Sequence, residues 1–134
     1  MSPAMDLRSV DPALRRMLAN GPLTNIPKRP GDQELLARLA AARFDPGRDY
    51  TEAEVNETLK AWLATFVEPY GIDHVTLRRM LVDTRLLVRP KDGARYALDS
   101  ARLPEAAALS DIEPARVLDE VREQREERKR QHAQ

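Results

Sequence analysis

Seven candidate side chains for recognising an anion fall between positions 74 and 98: Thr76, Arg78, Arg79, Arg85, Arg89, Lys91 and Arg95. Arginine's planar fork binds guanine edges or phosphate through two parallel hydrogen bonds. The chemistry on offer is therefore recognition of an acidic polymer or surface, not bond making. Thr76, Arg78 and Arg79 are the candidates for base edges. Arg89, Lys91 and Arg95 are placed for backbone phosphates, with Arg85 between the two groups. The whole chain carries no net charge, with 22 basic and 22 acidic residues, but the charge is segregated along it. Residues 31–73 hold nine acids against four bases, and residues 74–98 hold six bases against two acids. Such a chain folds into an electrostatically polar domain. The competing reading is that the two halves neutralise each other within the fold.

No constellation for catalysis accompanies these arginines. The two histidines, His74 and His132, lie far apart, and there is no cysteine to act as nucleophile or metal ligand. Asp73-His74 invites a general-base reading, but an aspartate at that spacing is first a helix N-cap. No glycine-rich phosphate loop precedes a helix, and the carboxylates show no metal-ligand spacing. The sequence is read as a non-enzyme with no catalytic residues, no metal site and no cofactor. The absence of cysteine fits a reducing, cytoplasmic setting. No stretch reaches the roughly 18 apolar residues of a membrane helix.

The elements that must position the arginines are legible from periodicity and punctuation. Asp11-Pro12 opens a short helix with Leu14, Met17 and Leu18 on one face, closed by Gly21. Leu23–Ile26 before Pro27 is at best a short edge strand. Asp32 caps a helix whose Leu35, Leu36, Leu39, Ala40 and Phe44 recur at helical spacing. Thr51-Glu52-Ala53-Glu54 is a capping box, and the helix it opens carries Val55, Leu59, Trp62, Leu63 and Phe66 on one face. Asp73 caps a third core helix over 74–84, with Val75, Leu77, Leu81 and either Met80 or Val82 inward and Thr76, Arg78, Arg79 and Asp83 outward. Leu86–Val88 and Arg95–Leu98 form a hairpin, joined by a turn containing Pro90 and Asp92-Gly93.

This order, helix, short strand, two helices and a hairpin, is that of a winged helix-turn-helix-like domain. The fold class expected is mainly α with a small β-hairpin. Residues 1–10 form a flexible N-terminus, 11–98 the domain, 99–110 a linker and 111–134 a charged C-terminal helix. That last helix starts apolar, with Ile112, Val117, Leu118 and Val121, and is almost wholly charged from Arg122 onward. It reads as a solvated end or as a segment for a protein partner or a second copy.

The segments GPLTNIP, ARFDPGRDYTEAEVNETL and DHVTLRRMLVDTRLLVRPKDGARY together resemble the prokaryotic domain-of-unknown-function family 2087 over about residues 12–98. The resemblance implies a small winged-helix-like domain of bacterial transcription regulators, often accompanying a separate DNA-binding domain. It brings no biochemical activity with it. Two departures stand out: the longer connection AWLATFVEPYGI, and Met80 where an acidic residue is common. Within the matching pattern Asn56 is expected to make a structural hydrogen bond to a neighbouring loop or helix end, and Tyr50 to pack against Val55 as a hydrophobic staple. The partners expected are duplex DNA or, on the alternative reading, a homodimer or protein partner through the C-terminal helix, with no role for a membrane.

Overall fold

The Thr51 capping box closes as its spacing demands. Glu54 N–H donates to Thr51 Oγ1 at 3.1 Å, and Thr51 N–H donates to Glu54 Oε1 at 2.9 Å. The helix it starts is the central one of a computed structural model that describes residues 5–89 and 95–133. The elements are α1 (Val10–Met17), α2 (Pro30–Ala41), β1 (Asp49–Tyr50), α3 (Glu52–Leu63), α4 (His74–Asp83), β2 (Leu87–Val88), β3 (Tyr96–Leu98), α5 (Ala106–Ser110) and α6 (Pro114–His132).

The apolar face read from the sequence of α3 is the buried one: Val55, Leu59, Trp62, Leu63 and Phe66 are all in the core. Helix α3 packs on α4, whose Leu77 and Leu81 share the core with it, and α4 in turn packs on α2. At about 25 cal/mol per Å² of apolar surface removed from water, burial of the α3 stripe stabilises the domain.

Two helix starts differ from the sequence reading. A single turn, Leu7–Ser9, capped by Asp6, leads directly into α1, so Asp11 lies within the helix and bonds Arg15 instead of capping. Likewise α2 begins at Pro30, whose fixed φ suits a first helical turn. Asp32 then sits inside the helix, where its buried carboxylate takes two N–H groups of Arg16 at 3.0 and 2.6 Å. It clamps α2 to α1.

The strand expected at residues 23–26 reduces to one parallel bridge, Leu23 to Val67. A strand not anticipated, β1, pairs antiparallel with β3 through Asp49–Ala97 and Tyr50–Tyr96. The sheet order is β1-β3-β2, with Leu87 opposite Leu98 and Val88 opposite Ala97. A two-residue strand carries no periodic signal, so only its partner reveals it. The expected hairpin turn over Pro90–Ala94, with Lys91, lies outside the described residues.

Residues 99–110, expected as a linker, contribute Leu103, Ala106 and Leu109 to the same core. Arg38 of α2 holds this segment through Glu105 at 2.6 Å, with both side chains almost fully buried. Val117, Leu118 and Val121 of α6 are buried too, and α6 packs on α1. From Arg122 to Ala133 every described residue is exposed. None of the described helices is long and apolar enough to cross a membrane.

Candidate nucleic-acid interface

Asp73 caps α4 as expected, accepting from Thr76 N–H and Thr76 Oγ1, each at 3.3 Å. Thr76 is exposed, but its hydroxyl proton is committed to the cap. Desolvation raises the pKa of Asp73, yet the Thr76 hydrogen bonds outweigh it and leave the carboxyl below its ordinary value. His74 Nδ1 lies 3.7 Å from Asp73, and among the described residues no group of three or more His, Cys, Asp or Glu side chains could hold a metal ion.

The two adjacent arginines of α4 part company. Leu77 and Leu81 define the buried line of the helix, and Arg78 stands about 100° round from Leu77. That angle brings it against α3, where its guanidinium donates to Asn56 Oδ1 at 2.6 Å and pairs with Glu52 Oε1 at 3.4 Å. Tyr96 Oη donates to the same Glu52 oxygen at 3.2 Å. Its side chain is only 15% exposed, which corrects the outward placement expected for Arg78. Glu52 and Asn56 lie four apart on one face of α3, so the fork spans both. The network ties α3, α4 and β3 together. The i,i+4 spacing of Glu52 and Asn56 was the available signal for it, and Arg78 was the partner that the sequence did not identify.

Arg79, a further 100° round, is exposed, as are Arg85, Arg89 and Arg95. Among the described residues none of these four has a carboxylate within the 4.0 Å of an ion pair, whereas Arg78 does. Arg89 lies over the Tyr96 ring at 5.6 Å, which fixes its stem at the sheet without consuming its charge. Arg95 is near enough to Glu54 to contribute to its lowered pKa, behind the larger effect of the Thr51 hydrogen bonds.

The remaining pattern residues are structural. Asn56 makes a structural hydrogen bond, but its partner is the Arg78 side chain of α4 and not the neighbouring loop or helix end that was expected. Tyr50 is buried edge-on against Phe44 at 5.0 Å, and its hydroxyl accepts from Asp45 N–H at 2.7 Å. The connection from α3 to α4 runs over residues 64–73, well beyond the three or four residues of a common helix-turn-helix corner. Its extra length is packed: Phe66, Val67 and Ile72 are buried, and Glu68 N–H donates to Leu23 O at 2.8 Å.

Two packed helices, the second flanked by a three-stranded antiparallel sheet, place the chain in the mainly α, winged helix-turn-helix-like class. The chain belongs to the DUF2087 family, described as an uncharacterized protein conserved in bacteria, whose model matches residues 22–98. Neither a curated protein nor a solved structure matches it. The matched stretch runs from the Leu23 bridge to the end of β3. Helices α1, α5 and α6 lie outside it but share its core.

Proposed function

We propose that the protein is a cytoplasmic bacterial transcription regulator that binds duplex DNA, with α4 in the major groove and the β2–β3 hairpin along the flanking backbone. One observation carries this reading. Arg79, Arg85, Arg89 and Arg95 are all exposed along that one helix and hairpin, without a carboxylate partner among the described residues. An unpaired guanidinium meets a phosphate without first breaking an ion pair. Arg78 is reassigned to holding α4 in place. Thr76 and Arg79 remain as the α4 side chains directed at the groove, and Lys91 lies outside the described residues.

Binding of the purified protein to random-sequence duplex should fall steeply between about 50 and 200 mM salt. Replacing Arg79 and Arg89 together by alanine should lower the slope of log affinity against log salt by about two. Wild-type binding by that variant would sink the reading.

A second reading, a protein-interaction module, is favoured by the exposed end of α6. Residues 122–133 are all exposed and reach the rest of the fold only through Arg125, which donates to Ala19 O at 3.4 Å, among the described contacts; they carry no apolar stripe, so a partner there would be held by charge. Solution mass with and without residues 123–134 tests self-association. An unchanged monomer removes it.

A further inference from the structure

Among the described residues two non-glycine residues hold left-handed backbone, Tyr70 at φ 65° and Arg85 at φ 63°, and they bracket α4. Only glycine adopts that conformation without steric cost. Arg85 follows the α4 C-cap, where its N–H donates to Val82 O at 3.0 Å and Leu86 N–H to Leu81 O at 2.9 Å. That pair of bonds closes a helix end in the way that usually selects glycine at the position Arg85 occupies. Tyr70 stands three residues before the Asp73 cap. Neither side chain is repaid by burial: Arg85 is exposed, and Tyr70 is fully exposed, the most exposed large apolar residue described. Backbone strain of this kind collects at functional positions.

The turn that carries Tyr70 is held on both sides. Leu23 N–H donates to Phe66 O at 3.1 Å and Gly71 N–H to Glu68 O at 2.9 Å. A Cβ at Gly71 would stand 3.0 Å from the carbonyl oxygens of Glu68 and Thr24 and from Val67 Cγ1. The chain passes too closely there for any larger residue, so the backbone beneath the tyrosine is held in place. An exposed aromatic on a rigid mount loses little freedom on contact, which is the condition for an efficient anchor.

We infer that Tyr70 is a DNA-contact residue that lays its ring against deoxyribose and base edges beside the N-terminal end of α4. This rests on the duplex-binding reading above. In a helix-turn-helix the first residues of the reader helix approach the bases, and the turn that feeds them lies alongside. Glu68 and Asp73 flank the tip, and between residues 61 and 77 there is no lysine or arginine, His74 beside Asp73 being the one basic side chain. Phosphate is repelled there, whereas an aromatic face meets sugar and base without charge. Tyr70 therefore contributes affinity that does not depend on salt, in contrast to Arg79 and Arg89.

The test is fluorescence anisotropy of the full chain on a labelled random-sequence duplex at about 50 and 200 mM salt, for wild type, Tyr70→Ala and Tyr70→Phe. Tyr70→Ala should bind at least about fivefold more weakly at both concentrations with an unchanged salt slope, and Tyr70→Phe within about twofold of wild type. Thermal melting of Tyr70→Ala at or above the wild-type temperature confirms that the loss is one of contact. Wild-type affinity in Tyr70→Ala would remove Tyr70 from the duplex while leaving the helix-and-hairpin reading intact, and would point to a protein partner for the tip. A slope lowered by about one would mean a phosphate contact and overturn the assignment to sugar and base. No binding by wild type at either concentration removes both readings.

Discussion

Arg78→Ala and Arg79→Ala delete the same guanidinium from neighbouring positions, and the two are expected to behave differently. Arg78→Ala leaves Asn56 Oδ1 and the Glu52–Tyr96 pair without their shared donor. Loss of charged hydrogen bonds at a mostly buried site should cost about 1–3 kcal/mol, read as a lower urea midpoint. Arg79→Ala, on the open face, should stay within about 0.5 kcal/mol of wild type and act on DNA affinity alone. Equal stability losses would mean that Arg78 gains nothing from its inward position. The left-handed residues make the converse prediction. Tyr70→Gly and Arg85→Gly should each raise stability by about 1 kcal/mol, since they relieve a Cβ clash and give up no buried contact. A higher melting temperature joined to weaker DNA binding would identify strain retained for contact.

The helix starts that frame the interface respond to acid. The Thr51 backbone N–H binds the charged form of Glu54 and, with the Thr51 hydroxyl, holds its carboxyl below the ordinary value. A depressed pKa contributes stability that is present above the unfolded value, about 4.3 for glutamate, and is lost as pH falls through the folded value. Glu54→Gln keeps a side-chain acceptor for the box but does not ionise. Between about pH 6 and 3 its urea midpoint should fall less than that of wild type, and parallel curves would remove Glu54 from the acid limb. Thr51→Ala, which deletes the hydroxyl acceptor, should cost about 1 kcal/mol at neutral pH. The α3–α4 pair thus depends on short-range caps at both N-termini, and the Glu52–Arg78–Asn56 bridge ties the two helices together.

At the scale of the whole molecule, the segments on either side of the family match are bound to it by buried charge as well as by apolar surface. Arg38 and Glu105 join α2 to the α5 segment at 2.6 Å, Glu34 adds a second carboxylate on Arg38, and one Glu105 oxygen has no partner. Arg43 reaches Glu113 and the backbone of Leu109 and Ile112. Burial pushes its pKa down, against the pull of Glu113. Glu105→Ala strands most of the buried Arg38 charge and should cost about 3 kcal/mol or more in urea unfolding. Arg38→Met with Glu105→Leu should return close to wild type, because the desolvation penalty vanishes with the pair. Shortening the chain after Arg122 removes only exposed residues and should leave the melting temperature unchanged. Removal from residue 111 strips Val117, Leu118 and Val121 from the core and should destabilise the whole domain.

What the sequence determined by itself is what depends on residues within about four positions of one another. The Thr51 box, the Asp73 cap and the Val55–Phe66 face followed from local spacing, and so did the order of helices and hairpin and the basic stretch from Arg78 to Arg95. Local hydrogen bonds and a 3.6-residue period need no distant partner to be recognised. The tertiary structure decided everything that needs one. Arg78 turns inward because α3 brings Glu52 and Asn56 to it, and β1 is a strand because β3 lies beside it. The 99–110 segment belongs to the core because Arg38 meets Glu105. Arg15 pairs with Glu120, 105 positions away. Tyr70 stands exposed on a turn whose preceding residues are bridged to Leu23. Burial and charge pairing are properties of neighbours in space, and folding selects those neighbours by summed contact energy that no local spacing records.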